Sequence, residues 1–566
     1  MTLLLGCGAE PGSGSGETPA AQGAPESPVQ FSEEARLRGV DFQHEAGRTA
    51  EKYMPEVLGA GLAIADFDRN GAPDLYFVGG GDVQNTVSRD KGPDRLYLND
   101  GAGQFRDASK EWSVSGAGYG MGVAVGDYDS DGWPDLLTTS FGGGVRLYRN
   151  TGSGFEDVTE STGLQAERAW STSAGFADFD RDGDLDLYVV HYVDYELQLA
   201  LRCWHNGRHI YCSPGLYEAE PDSVWRNEGD GTFVEVGEQV GVRAHPGKGL
   251  ALALGDVDWD GDVDAFVAND ITRNLLFYND GGGVFEERGR TAGVAYDESG
   301  RAAAGMGSDF SDVDGNGLVD ISCTNFQDET SNLYLQKPLG VFRDRSYPLG
   351  VGASAQNRLS WGIDFLDVDN DGDEDLFIAN GHIDDGIGSV SEQVTFAQAN
   401  SLMLLEESGR YDDISDRSGA GLRLVEVTRG AASGDLDGDG LLDIVVSNNG
   451  GNGRIMMNRS DVAGSTSVIL WLEGTLSNRS AIGARVEAQV GDATLLREVR
   501  GASSYASFND PRIHIGLGGE AGADVLLLWP SGTEQRLEAI GPGHYHVIEG
   551  EAPVPITPGA AVIPPR

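Results

Sequence analysis

Basic residues are what this chain is shortest of: Lys and Arg number 40 against 90 Asp and Glu, a formal charge of −50. That balance excludes nucleic acid and anionic membrane surfaces as partners. No apolar run reaches the 18 or so residues of a spanning helix, so no transmembrane helix is expected. A G-x-S-x-G nucleophile elbow, an H-E-x-x-H helix and a phosphate-binding Walker loop are also missing, and the sequence offers no catalytic residue. Cysteine occurs only four times. His205 and His209 lie between Cys203 and Cys212, but the second tight pair that a zinc site needs is missing.

What the chain has instead is a nine-residue loop, D-x-[D/N]-x-[D/N]-G-x-x-D, repeated seven times with starts 51 to 78 residues apart, a period close to that of propeller blades. Oxygen-bearing side chains fill its positions 1, 3, 5 and 9. They are Asp66, Asp68, Asn70 and Asp74; Asp127, Asp129, Asp131 and Asp135; Asp178, Asp180, Asp182 and Asp186; and Asp256, Asp258, Asp260 and Asp264. The last three copies carry Asp312, Asp314, Asn316 and Asp320; Asp367, Asp369, Asp371 and Asp375; and Asp435, Asp437, Asp439 and Asp443. Carboxylates crowded this closely repel one another unless a cation sits among them. Ca²⁺ suits the loop best, because it takes six to eight hard oxygens in flexible geometry, whereas Mg²⁺ tolerates such cages poorly. The glycine at position 6 permits a sharp or positive-φ turn. About seven Ca²⁺ ions are therefore expected.

An EF-hand opens with the same pattern but needs a Glu at position 12 and a following helix. Here position 12 is Phe77, Thr138, Val189, Val267, Cys323, Ile378 or Val446, within β-branched and aromatic runs that read as strands. A second phrase follows each loop: Leu96-Tyr97-Leu98-Asn99 then Phe105, Leu147-Tyr148-Arg149-Asn150 then Phe155, and Val224-Trp225-Arg226-Asn227 then Phe233. Leu276 to Asn279 with Phe285 repeats it, and looser versions stand at Leu333 to Gln336, Leu402 to Leu405 and Ile455 to Asn458. Strand, tight turn, strand describes a hairpin. Each unit is thus about four short strands with Ca²⁺ in the turn between the first two.

The 83 glycines punctuate strands without a collagen period, and 39% hydrophobic residues suffice for a core spread over many small β units. The acidic residues are locally patterned among apolar strands, which argues against disorder. Extracellular Ca²⁺ modules bind at about 10⁻⁴ to 10⁻³ M, so millimolar Ca²⁺ contributes roughly 0.4 to 1.4 kcal/mol per site. Seven sites together are worth on the order of 3 to 10 kcal/mol, a large share of an ordinary folding stability.

Cys203 and Cys212 lie nine residues apart in the longest interval between loops, a spacing at which a disulfide would staple an inserted segment. Cys323 falls in a strand and reads as a buried small hydrophobe. Cys7 follows Thr-Leu-Leu-Leu-Gly, which resembles the lipobox of bacterial lipoproteins and makes Cys7 a candidate for lipidation, although the segment before it is shorter than a working signal. The chain divides into a low-complexity tether at 1–29, a repeat region at 30–460, a second module at 465–550 and a Pro-rich tail at 551–566. Strand-like runs at Ser467 to Leu472, Ala484 to Val490, Ala493 to Val499 and Val525 to Trp529 make the second module a small antiparallel β domain.

These loops and L-Y-x-N-x-G-x-G-x-F phrases resemble FG-GAP (VCBS) repeats, the blades of integrin-α-type propellers. Asn478 to Arg485, Gly516-Leu517-Gly518 and Trp529 to Gly532 resemble the ASPIC/UnbV domain. The combination, from about Phe42 to Glu549, is similar to the cartilage acidic protein family, whose bacterial members are expected to be secreted. Asn269-Asp270 with Asn274, Asn380-Gly381-His382, Arg429-Gly430-Ala431 and the Cys203/Cys212 pair are phrases this family tends to carry. Departures are Asn70 and Asn316 at position 5 and Ala265 after the fourth loop. The resemblance implies an all-β chain, a seven-bladed β-propeller with Ca²⁺-binding loops plus a small C-terminal antiparallel β domain.

Two functions compete. The first is a non-enzymatic, secreted or envelope-anchored bacterial binding or adhesion module for an extracellular protein or glycan. The second is a hydrolase or lyase acting on polysaccharide from a site in the propeller channel. His382 and His44 are read as structural hydrogen-bonding residues, and Trp529 as a core residue of the second module.

Overall fold

The computed structural model describes residues 26–566 except 87–91, 115, 117, 165–168, 463, 561–562 and 565–566. Cys7 and most of the 1–29 tether lie outside the described residues.

Seven four-stranded antiparallel sheets account for the repeats. The first runs Leu62–Ala65, Asp74–Phe77, Arg95–Asn99 and Phe105–Asp107. Its third and fourth strands form the hairpin foreseen from the Asn-x-Gly phrase, with Asn99 opposite Phe105 and Gly101 N–H donating to Asn99 Oδ1 at 3.0 Å. The innermost strands of the sheets are Leu62–Ala65, Tyr119–Gly126, Ser171–Ala177, Gly249–Gly255, Ser308–Ser311, Ser360–Leu366 and Thr428–Gly434. Each packs against the next, and the last packs against the first. That closed ring is a β-propeller. Phe31–Glu33 supplies the outer strand of the seventh sheet by pairing with Arg454–Asn458, so the N-terminal end of the repeat region closes the circle.

The inner strands are buried throughout and rich in Gly, Ala and Ser, with Tyr119, Trp361 and Arg429 as large buried exceptions. Tyr, Phe and Leu fill the wider gaps further out, as at Tyr76, Tyr97, Leu98 and Phe155.

The second module has two further four-stranded sheets, one pairing Ile513–Gly518, Thr466–Glu473, Gly543–Ile548 and Val554–Ile556, the other Ala493–Glu498, Arg485–Val490, Ala523–Leu528 and Glu534–Ile540. They are antiparallel with one exception: Thr466–Glu473 and Gly543–Ile548 run parallel. The Pro-rich tail adds the edge strand Val554–Ile556. It then crosses to the first loop, where Gly559 N–H donates to Asn70 O at 3.0 Å. One apolar cluster runs unbroken from the second to fourth sheets into the second module through Ile482, Val499 and Ala502.

The segment Ala502–Phe508 of the second module occupies the propeller axis and meets all seven inner strands. Phe508 exchanges hydrogen bonds with Leu62 and Ile64, and Ser504 pairs with Ser308. Ser504 Oγ accepts from Ile363 N–H and donates to Ala431 O. Leu254 N–H donates to Ala502 O, Ala506 N–H donates to Ser173 Oγ, and Ala506 lies against Gly122.

Candidate metal centres

Each Asp-rich loop joins the innermost strand of a sheet to the second, so all seven sit around the axis on one face. The second module docks on that face. Ser480 Oγ accepts from Asp127 N–H, Arg512 donates to Gly71 O and Asp435 O, Arg497 donates to Gly372 O and Glu498 accepts from Asp256 N–H.

Within a loop the four acid positions do two jobs. The position-9 carboxylates (Asp74, Asp135, Asp186, Asp264, Asp320, Asp375 and Asp443) are buried. Each accepts the position-2 N–H at 2.9–3.1 Å and an N–H from the end of the third strand at 2.7–2.8 Å. At position 1, one oxygen accepts the glycine N–H at 2.7–3.0 Å in every copy. At position 5, Oδ1 accepts the N–H two residues on at 2.8–3.1 Å. The position-6 glycines all have φ between 82 and 102°. Position 4 is left-handed as well in every copy, at Arg69, Ser130, Arg181, Trp259, Gly315, Asn370 and Gly438. Five of these are not glycine, so the loops hold backbone strain of about 1–3 kcal/mol each.

The acids converge. Oxygens from Asp66, Asp68 and Asp74; Asp127, Asp129 and Asp135; Asp178, Asp180 and Asp182; Asp256, Asp258 and Asp260; and Asp312, Asp314 and Asp320 lie within 4.8 Å of one another in each trio. Burial and then the neighbouring like charges push Asp367 up to about 8 and Asp66 up to about 7. Among the acids of positions 1, 3 and 5, buried oxygens without a hydrogen-bond partner remain on Asp180, Asp256, Asp258, Asp369 and Asp437, in the third, fourth, sixth and seventh loops. Unpaired buried anionic oxygens are costly, and this donor set fits a hard divalent cation. The side chains of positions 1 and 3, with position 5 or position 9 completing the converging trio, would hold it and supply hard oxygen ligands.

The copies are not equivalent. In the second, Arg149 lies 2.7 Å from both Asp129 and Asp131. In the seventh, Asp435 is buried, yet His544 at 3.2 Å and the nearby Arg512 hold it below the usual carboxylate range. Arg38 and Arg459 each lie 3.1 Å from Asp437. Protein cations thus offset part of the charge in these two loops. Asn70 and Asn316 donate through their amides to the main-chain oxygens of Asn99 and Gln336, leaving one side-chain oxygen each.

The sequence reading missed one set of residues. The amide at the end of each third strand reaches back into the preceding sheet's loop: Asn99 to Leu436 O, Asn150 to Phe67 O, Asn227 to Tyr128 O, Asn279 to Phe179 O, Gln336 to Val257 O and Asn458 to Val368 O, at 2.8–3.0 Å. The signal was the recurring Asn of the L-Y-x-N phrase, which marked a turn but also clamps neighbouring sheets. The sixth sheet has Leu405 there and makes no such bond.

Cys203 and Cys212 are disulfide-bonded. Cys323 is buried, and burial pushes its thiol up to about 12. Trp529 packs in the second module and donates to Gln535. His44 is buried and accepts from Gly450 N–H. Among the described residues, no helix is long and apolar enough to cross a membrane.

A closed ring of four-stranded sheets with Asp-rich loops, capped by a β module, defines an FG-GAP-type repeat propeller. Residues 66–138, 127–189 and 312–378 match the FG-GAP-like repeat, 427–469 the FG-GAP repeat, and 474–554 the ASPIC and UnbV domain. The chain carries FG-GAP repeats followed by an ASPIC/UnbV domain. It is similar to cartilage acidic protein 1, being 24% identical to the Homo sapiens protein over 84% of this chain and 70% of that one, and 24% identical to the Mus musculus protein over 84% and 71%. Among solved structures it is similar to a lectin of Agrocybe aegerita (TM-score 0.39, 16% identity, 69% of this chain and 86% of that one). A second is the BP39L lectin from Burkholderia pseudomallei (TM-score 0.41, 12% identity, 71% and 99%).

Proposed function

We propose that the chain is a secreted or cell-envelope binding module of bacterial type, in which residues 30–460 form a propeller stiffened by about seven Ca²⁺ ions and residues 465–550 form a docked cap. Cys7 is the candidate point of lipid attachment. The observation that carries this reading is the set of partnerless buried carboxylate oxygens in the loops beneath the cap. A cation there turns mutual repulsion into cross-links, and the rigid ring then presents its loops to an extracellular protein or glycan. The rival reading, a polysaccharide-active enzyme, needs an open axial channel, and Ala502–Phe508 occupies that axis.

Elemental analysis of purified protein dialysed against millimolar Ca²⁺ tests the metal, with several ions per chain expected. A glycan array probed with and without chelator tests the role, with Ca²⁺-dependent retention expected. Absence of calcium after such dialysis overturns the first part. Polysaccharide turnover by the intact chain overturns the second.

A further inference from the structure

Opposite the Asp-rich loops, at the other end of the same inner strands, lies a cavity of about 400 Å³, within the range of small-ligand sites. Its wall draws on the segments before the first and fifth inner strands, the sixth inner strand itself, the ends of the second strands in sheets three to six, and the disulfide-closed insertion. Four phrases that the sequence singled out and the metal loops do not use meet here. Asp270, His382 and Cys212 line the cavity. Arg429, fully buried behind it, donates to Val57 O and Gly381 O and lies 4.0 Å over the Trp361 ring. The insertion is held in place by Arg208, which donates to Asp384 at 2.7 Å.

Two polar atoms of the wall are buried and have no partner: His382 Nε2 and Gln327 Oε1. His382 is 3% exposed, and its Nδ1 accepts from Asp384 N–H at 2.9 Å. An imidazole whose Nδ1 accepts carries its proton on Nε2. The wall therefore contains one unmet N–H donor and one unmet amide acceptor, on residues that line the cavity together with Met54, Leu58, Phe326 and Trp361.

Charge narrows the ligand. Cationic groups of this chain already cover two rings of the wall: Arg429 on Trp361, and Lys52 Nζ, 4.7 Å from the Tyr211 ring. An anion would face the carboxyls of Asp270 and Glu329, each with one oxygen engaged, by Tyr192 OH and by Ala304 N–H respectively. Groups of both signs thus border the cavity, Arg429 from behind Trp361 and Lys52 over Tyr211.

We propose that this cavity binds a neutral sugar residue, its C–H face on the apolar wall, one hydroxyl oxygen accepting from His382 Nε2–H and another hydroxyl donating to Gln327 Oε1. The proposal rests on the binding-module reading and names the chemistry of one ligand for it.

Saturation-transfer NMR on the full chain, with the methyl glycosides of glucose, galactose and mannose alongside choline and glucuronate, tests it. At least one neutral glycoside should bind at millimolar concentration, and the two ions should not. His382→Phe should weaken binding about tenfold, one lost hydrogen bond, while His382→Gln, which keeps a donor, should weaken it less. Gln327→Leu is a second variant at a half-buried side chain whose acceptor has no partner, and it should weaken binding severalfold at unchanged melting temperature. Failure of all three glycosides, preference for choline or glucuronate, or unaltered affinity in both Phe and Leu variants overturns the site. A parallel melt with and without Ca²⁺ separates the outcomes. Calcium stabilisation without sugar binding sinks the cavity alone, whereas no calcium effect sinks the reading beneath it.

Discussion

Asn150 reaches backward across the joint between two sheets, and its side-chain amide donates to the main-chain oxygen of Phe67 at 2.9 Å and to Pro134 O at 3.0 Å. One side chain thereby holds two successive Asp-rich loops at a fixed separation. Asn150→Ala leaves buried carbonyls unmet and should cost about 1–3 kcal/mol, read by urea unfolding in Ca²⁺. Asn150→Asp should cost more, because it presses a carboxylate against the same oxygens. A neutral result for both would show that the clamp carries no stability.

Chelation should lower the melting temperature markedly, and excess Mg²⁺ should not restore it. A single substitution sharpens this. Asp258 has a buried oxygen with no partner, and burial and then the charge of Asp260 raise its pKa. Asp258→Asn should therefore stabilise the chelated protein and destabilise the Ca²⁺-loaded one. Differential scanning calorimetry in EDTA and in Ca²⁺ reads both, and the same sign in both conditions would refute a cation at this loop.

Gly61 lies where the plug meets the ring. A Cβ there would stand 2.1 Å from Ala506 O and 2.8 Å from Met121 O, both backbone atoms that cannot swing aside. Gly61→Ala should cost about 1–3 kcal/mol or more and should loosen the cap. Faster proteolytic cleavage between residues 460 and 465 would report that loosening, and wild-type cleavage rates would contradict it.

Glu473 joins the cap to the first loop. It sits 2.7 Å from Arg69, 2.8 Å from Arg479 and 2.9 Å from His546. Burial raises its pKa, but the His546 hydrogen bond and the two arginines outweigh that and hold it at about 2. A carboxyl depressed in the fold adds stability above its unfolded value near 4.5 and loses it as pH falls toward the folded value. On the order of 2–3 kcal/mol should disappear between about pH 5 and pH 2. Glu473→Gln should flatten that part of the stability profile, as measured by unfolding across pH; an unchanged slope would remove the clamp from the account.

Much of the propeller was legible because its rules are local. Loop, strand, Asn-x-Gly turn and aromatic recur within about 50 residues, so spacing alone located the hairpins and the candidate ligands. The position-4 residues were not legible: Arg69, Ser130, Arg181, Trp259 and Asn370 share no chemistry that announces a left-handed backbone. Nor was Arg149, whose place in the L-Y-R-N phrase gave no sign that it would span Asp129 and Asp131. In the second module the strands Ile513–Gly518, Glu534–Ile540 and Gly543–Ile548 went unread, because His and Gly interrupt the first and third and charged residues the second, so none shows a clean β-branched alternation.

By itself the sequence determined the repeated unit and the acidity of its loops, since both depend on neighbours only a few residues away. Tertiary structure alone decided that Ala502–Phe508 fills the axis and that Asp270, His382 and Arg429 gather around one cavity. Those meetings join residues separated by tens to hundreds of positions, and they exist only because ring closure brings seven sheets to a common centre, a constraint that no local pattern encodes.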